Sequence, residues 1–438
     1  MPSLAGNSIV IPLLNEYYLF DYFSLLVRTL LDKGFSVDVV TFDASVLSRY
    51  ATIDPRIKVV RGFGPVGLLL PRTGRGIFNA ALWGFAWIWA ALLKRRYDFA
   101  IVPADNTPVW YAICRIMPAL TCHTTTEYID IASTIKRDSL RKPLAFGHVL
   151  LDKVSGKRWL PRVNGVVVRF PRSLLVDRLM GFRGRNYYMG CSGKAIVTVT
   201  GPRIKENLAA FGVGAGRVRV VGNPNYDFLP GLVASFDDHQ RRLFLQELGV
   251  RQTGSIFSLF LSPSSFSEIQ IREVMDVLRT VYATVPEACC VVKFHPKTRS
   301  ESLDRFREEL LPRGDRARLL TGFSGDEFNA RLMLVSKAVI QKQSTLGFLA
   351  MRLRRPVISY HLFETAYEDD MYEIIGGNVR ARTTEELAGF LKRLDDPAFT
   401  AAMERSQQEA CSRFCVETVS CGEEIASIVG ASLTEGRR

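Results

Sequence analysis

The chain has 438 residues, of which 47% are hydrophobic and 23% charged, and its formal net charge is +13. That composition excludes a disordered or fibrous protein, and the length exceeds one ordinary core, so two domains are expected. The eight cysteines form no CxxC pair and keep no regular spacing to histidine, which argues against a disulfide framework or a structural zinc site and suits a reducing cytoplasm.

The opening Met-Pro-Ser-Leu-Ala-Gly-Asn runs straight into an apolar segment and lacks the positive and apolar regions of a secretory signal, which predicts a cytoplasmic protein. An apolar run at 8–14, a helical pattern at 20–32, Gly34 as a stop and a second run at 36–42 spell a β-α-β unit. Further strands are expected at 57–60, 99–102 and 120–124 with helices between them, the alternation of a doubly wound parallel sheet. Pro-Leu-Leu-Asn-Glu-Tyr stands where a Gly-x-Gly-x-x-Gly turn would follow the first strand, so a tight dinucleotide clamp is not expected.

Residues 77–93, IFNAALWGFAWIWAALL, carry no charge and are flanked by Arg72 and Arg75 before and Lys94-Arg95-Arg96 after. The segment reads as a buried domain helix or as an interfacial helix at a membrane face. A true span is disfavoured, because the run is short for a bilayer and the strand at 99–102 follows at once. Three tryptophans at 83, 87 and 89 with cations at both ends suit a membrane surface.

Between Lys136 and Arg185, thirteen Lys or Arg stand against three Asp, so this block carries most of the excess charge. It is expected to be part helical, at 140–151 and 173–179, and to decorate the acceptor domain over 136–190. Its partner is an anion: a phosphorylated acceptor or an anionic membrane. Nucleic acid is not expected, since no zinc finger, RNP aromatic pair or helix-turn-helix spacing accompanies the charge.

A strand at 195–200 and a helix at 203–211 lead to VRVVGNPNYDFL, a strand ending in a Gly-Asn-Pro turn, and a polar helical stretch at 232–253 marks the hinge. A second series follows, with strands at 255–262, 289–295, 317–322, 337–341 and 355–360. They alternate with helices at 267–284, 300–311, 325–334, 345–353 and 384–395. A long helix at 397–429 carries Cys411 and Cys415 one turn apart, which reads as packing rather than as a metal site. The expected architecture is α/β, two Rossmann-like domains facing across a cleft. Residues 1–232 form an acceptor-binding domain, 233–396 a nucleotide-sugar-binding domain, and 397–438 a helix crossing back to the first.

In open α/β sheets ligands bind beyond the carboxyl ends of the strands. There the second series presents three phosphate-type loops. Ser262-Pro263-Ser264-Ser265 clusters hydroxyls before a helix, as an ordinary N-cap also would. His295-Pro296-Lys297, with Lys293 two residues earlier, places an imidazole between two lysines. Lys342-Gln343-Ser344-Thr345-Leu346-Gly347 opens a helix with hydroxyls and a small residue in its first turn.

A His-Pro strand end followed further on by Ser-Thr-Leu-Gly and Pro-Val-Ile resembles bacterial glycosyltransferases with CMP- or CDP-linked donors, over roughly 195–395. These include sialyltransferases with HP and S-S/S-T motifs, capsular Kdo transferases and CDP-glycerol glycerophosphotransferases. The Gly222-Asn223-Pro224 turn with Asp227 is similar to that group and to the non-hydrolysing UDP-GlcNAc 2-epimerases. The resemblance implies a GT-B fold and a nucleotide-sugar donor. It implies that His295, Ser344 and Thr345 contact the donor phosphate, and that Glu364 lies near nucleotide or sugar. The acidic Asp/Glu-Asp/Glu-Gly motif of sialyltransferases is missing from the N-terminal half, which counts against a sialic acid donor and leaves the sugar open.

Inverting transfer requires a carboxylate that deprotonates the acceptor hydroxyl, and Glu16, Asp105 and Glu127 are the candidates at strand ends of the first domain. No Asp-x-Asp sits at a strand end, so no metal and no cofactor is expected. Leaving-group charge falls to His295, Lys293 and Lys297. The acceptor is expected to be a glycan, a lipid-linked sugar or a protein, met in the cytoplasm or at the cytoplasmic face of the inner membrane. The alternatives are a UDP-sugar 2-epimerase and a CDP-alditol phosphotransferase.

Overall fold

The computed structural model describes residues 7–13, 18–41, 54–61, 76–103, 108–122, 162–163, 166–167, 190, 192–210, 213–250, 254–261, 266–295, 298–310, 316–322, 325–342, 344, 346–362, 379–417 and 420–435. The chain divides into two compact units, one made of Met1–Asp227 with Phe414–Arg438 and the other of Phe228–Arg413. The first break thus falls a few residues before the expected 232. The return begins at Phe414, not at 397.

The first unit is built on β1 (Ser8–Leu13), α1 (Tyr18–Asp32), β2 (Ser36–Thr41), β3 (Lys58–Arg61), α2 (Gly76–Arg96), β4 (Phe99–Val102), α3 (Pro108–Ile116) and β5 (Ala119–Cys122). A short antiparallel pair, β6 (Arg162–Val163) and β7 (Val166–Val167), precedes β8 (Ile196–Val199), α4 (Pro202–Ala210) and β9 (Val218–Val220). Seven strands form one parallel sheet in the order β3-β2-β1-β4-β5-β8-β9. Alternate residues of β1 face opposite sides, as the strand period requires. Ile9, Ile11 and Leu13 pack with Phe23, Leu26 and Leu30 of α1, while Val10 packs with Trp89 and Leu93 of α2 and Ile113 of α3. Gly34 ends α1 with φ +88, and Phe35 N–H donates to Leu30 O, a 6→1 closure that needs the left-handed conformation glycine adopts freely.

The second unit opens with α5 (Leu229–Ser235) and α6 (Asp238–Glu247), and continues with β10 (Ile256–Leu261), α7 (Glu268–Thr284), β11 (Cys289–Phe294), α8 (Ser300–Leu310), β12 (Ala317–Leu320), α9 (Asp326–Val335), β13 (Ala338–Gln341), α10 (Leu346–Arg352), β14 (Val357–Tyr360), β15 (Val379–Ala381), α11 (Thr384–Arg393) and α12 (Pro397–Phe414). Its strands form a parallel sheet in the order β12-β11-β10-β13-β14-β15. The sixth strand, β15, extends the five that the periodicity predicts. Helix α7 starts with a full capping box between Ser267 and Gln270 and buries Val274, Val277, Leu278 and Val281 against the sheet.

The long helix expected at 397–429 is two helices, α12 and α13 (Cys421–Glu435), because the chain turns after Phe414 to bind the first unit. Thr200 Oγ1 donates to Phe414 O at 2.7 Å and Val416 N–H donates to Thr200 O at 2.9 Å. A Cβ on Gly201 would stand 2.2 Å from the Phe414 carbonyl carbon, so only glycine admits this approach. Cys411 and Cys415 are both buried, as packing predicts, with Cys415 already past the end of α12. The segment at 77–93 is the body of α2, and among the described residues no helix is long and apolar enough to cross a membrane. Apart from β6 and β7, the basic block at 136–190 lies outside the described residues except for Gly190, and so do the helices expected within it.

Candidate functional site

In the second unit, β10 continues through α7 to β11 on one side, while β13 lies on its other side. The strand order therefore reverses between β10 and β13. Ligands of open α/β sheets bind beyond the carboxyl ends at such a reversal. Paired residues of a parallel sheet present side chains to the same face. Lys293, Phe260, Gln341 and Ser359 form one such row near the carboxyl edge, on β11, β10, β13 and β14. Cys290, Val292, Ala338 and Ile340, one residue out of step with that row, fill the core beneath α7.

Lys293 stands out in that row. It is 5% exposed, and among the described residues its ammonium has neither a hydrogen bond nor a carboxylate partner. Desolvation alone pushes its pKa below the usual 10.5. A desolvated ammonium is costly unless a counter-charge meets it, and an anion arriving at the strand ends would lower that cost.

Gln341 lies fully buried two strands away. Its Oε1 accepts from Ser344 N–H at 2.7 Å, and its Nε2 donates to Ser359 Oγ at 3.3 Å, so the loop that leaves β13 is pinned to the sheet. Ser344 is itself buried, with its Oγ accepting from Leu346 N–H at 3.4 Å, and Gly347 N–H donates to Ser344 O at 3.1 Å. His295 follows β11, half-buried, and its carbonyl accepts from Thr298 N–H at 2.9 Å.

A feature that sequence reasoning missed ties these loops together. Glu273 of α7 is 2% exposed and holds Lys342 Nζ at 2.6 Å through Oε2. Its Oε1 accepts from Leu362 N–H at 2.8 Å. One carboxylate thereby joins the residues that follow β13 and β14. Glutamate in the pattern EIQIREVMDVL reads as a solvent-facing position, and only the meeting of two distant loops gives it a partner.

Of the remaining expected donor ligands, Ser262, Ser264, Ser265, Pro296, Lys297, Gln343, Thr345 and Glu364 lie outside the described residues, as do the candidate bases Glu16, Asp105 and Glu127. The strands that lead to Glu16 and Asp105, β1 and β4, are neighbours where the first sheet reverses its order, with Ile9 beside Phe99 and Val10 beside Ala100. Open α/β sheets bind ligands beyond strand ends at such a reversal.

Gly222 and Asn223, also expected to bind the donor, belong to the first unit, and there they form a turn. Gly222 takes φ +88, and Asn223 Oδ1 accepts from Asn225 N–H at 3.1 Å to cap the short helix at Pro224–Tyr226. Asp227 accepts from Cys421 N–H at 2.9 Å and Gly422 N–H at 2.7 Å, capping α13. Asp227, which follows the Gly-Asn-Pro turn, thus fastens the returning helix. Replacing Asp227 with alanine is expected to cost about 2 kcal/mol in urea unfolding, from two charge-assisted bonds at a helix N-terminus. A cost within error of zero would remove the cap from the account.

No protein-family model and no curated protein matches the sequence. Among solved structures, the chain is similar over 98% of its length to a UDP-GlcNAc 2-epimerase from Neisseria meningitidis bound to UDP-GlcNAc, with 100% of that chain covered, 13% identity and a TM-score of 0.59. It is similar over 98% of its length to a glycosyltransferase from Rickettsia africae, covering 98% of that chain at 10% identity and a TM-score of 0.59. The wall teichoic acid polymerase TagF, from a CDPG soak, matches all of the chain and 91% of its own at 13% identity and a TM-score of 0.58. These likenesses establish the fold as two Rossmann-like units of the GT-B type.

Proposed function

We propose that the protein is a metal-independent, inverting glycosyltransferase that takes a nucleotide-activated sugar, with a CMP-linked sugar favoured, and extends a cell-surface glycan, glycolipid or glycoprotein. The observation that carries this reading is Lys293, a 5% exposed side chain without a counter-charge among the described residues, at the carboxyl edge of the second sheet beside the strand-order reversal. A diphosphate or phosphodiester supplies the charge this lysine lacks. In this reading the donor phosphates lie around His295-Pro296 and Ser344-Thr345, Lys293 and Lys297 offset charge on the leaving nucleotide, and one of Glu16, Asp105 and Glu127 takes the acceptor proton. Solved GT-B structures whose names include UDP, UDP-GlcNAc or CDPG support the nucleotide part of it.

Full-length likeness to the Neisseria epimerase favours a second reading, a UDP-sugar 2-epimerase, and likeness to TagF favours a CDP-alditol phosphotransferase. Thermal shift and calorimetric titration against CMP-, CDP-, UDP- and GDP-sugars separate them. A cytidine nucleotide is expected to bind most tightly and to be released when an acceptor glycan is supplied. Conversion of UDP-GlcNAc without acceptor selects the epimerase, and CDP-glycerol turnover selects the phosphotransferase. If no sugar nucleotide binds, all three readings fall.

A further inference from the structure

Helix α2 carries a surface that the donor chemistry does not use. Over 84–96 its inner face, Ala86, Trp89, Ala90 and Leu93, is buried beside Val10, Ala100 and Ile113. Its outer face is apolar as well. Ile88 is 64% exposed and Leu92 is 53% exposed, one helical turn apart, with exposed Gly84 and Ala91 on the same stripe. Lys94, Arg95 and Arg96 follow directly, all exposed, and no acidic residue occurs anywhere from Gly76 to Arg96. Among the described residues, Arg96 alone of the three has a carboxylate partner, Asp38 at 3.7 Å.

Exposed isoleucine and leucine stacked on one helix face, ending in three consecutive cations, match a bilayer whose acyl boundary takes the apolar stripe and whose anionic headgroups meet the cations. We infer that α2 seats the protein on an anionic phospholipid surface, lying along it rather than through it. The charge selects the occupant. The α2 of a second copy has no acidic residue to meet these cations, and a neutral apolar partner would likewise leave them unmatched. The inference stands whatever nucleotide the second unit takes.

The test is co-sedimentation of the full chain with vesicles of equal parts phosphatidylcholine and phosphatidylglycerol, against vesicles of phosphatidylcholine alone. Binding is expected to the mixed vesicles only and to weaken as salt is raised. Ile88→Ser with Leu92→Ser is expected to lower partitioning by at least about tenfold. Lys94→Glu with Arg95→Glu is expected to abolish the preference for the anionic lipid. All four side chains are exposed, so unchanged melting curves establish that the variants fold. Failure of the wild-type chain to bind mixed vesicles overturns the inference. So does undiminished binding by the Ile88/Leu92 variant, which would assign the membrane contact to the basic stretch at 136–190. Concentration-dependent dimers that the serine variant abolishes would assign the stripe to a second copy.

Discussion

Replacing Lys293 with methionine is expected to make the protein more stable and, at the same time, to remove most of its affinity for phosphate-bearing ligands. The two effects share one cause. The side chain is 5% exposed and partly desolvated with no partner among the described residues, so the folded state holds a charge that water would solvate better. Methionine keeps much of the length and drops the charge, and a gain of about 1–3 kcal/mol in chemical unfolding is expected.

The pH dependence has a definite sign. Burial sets the folded-state pKa below the ordinary 10.5, so the folded protein binds fewer protons than the unfolded chain between those two values. Stability contributed by this group therefore rises with pH across that window, and the methionine variant loses the slope. Ligand affinity runs the other way, falling as pH climbs past the depressed value and the cation is lost. Loss of a charged hydrogen bond to phosphate is worth about 2–3 kcal/mol, roughly 30- to 150-fold in Kd by calorimetry. Unchanged nucleotide affinity in Lys293→Met would take the lysine out of the site and with it the main support for the donor reading.

Glu273→Ala carries the largest expected loss of stability. It removes the carboxylate from Lys342 and leaves Leu362 N–H without its acceptor beneath α7. Removing one partner of a buried pair costs about 3 kcal/mol or more, reduced here because Lys342 is 28% exposed. Glu273→Gln retains an acceptor for Leu362 and should lose about half as much. A double-mutant cycle with Lys342→Met isolates the ion pair from the backbone bond. Hydrogen exchange supplies a local readout, since the Leu362 amide is expected to lose protection in the alanine variant and keep it in the glutamine one. Equal protection in both would mean that the carboxylate does not hold the β14 loop.

Much of the scaffold is legible in the sequence because local signals agree with one another. In the β1-α1-β2 unit the apolar runs, the helical spacing and Gly34 all indicate the same boundaries, and the structure keeps them within two residues. Three-residue β15 carries too few positions for a period to register. The break between α12 and α13 is hidden for another reason. Apolar residues continue at helical spacing through Phe414 and Cys421, and the chain turns there because Thr200 donates to Phe414 O and accepts from Val416 N–H, with Gly201 leaving room for the approach. At the site, Lys293 and Ser344 are legible as strand-end residues. Glu273 is not, because a side chain that bonds loops some seventy and ninety residues away leaves no mark on its own neighbourhood, and Gln341 and Ser359 meet only because their strands are neighbours in the sheet.

The return of the chain to its first unit also orders events during synthesis. Ile425, Ala426, Val429 and Leu433 of α13 share a core with Phe23, Leu26 and Leu30 of α1. When the ribosome has made residues 1–227, that core still lacks one wall, and it stays open while the whole of 228–413 is translated. The second unit, contiguous in sequence, is complete first. The unit that begins the chain is thus the later of the two to close, with α1 exposing an apolar face to chaperones and proteases until α13 emerges.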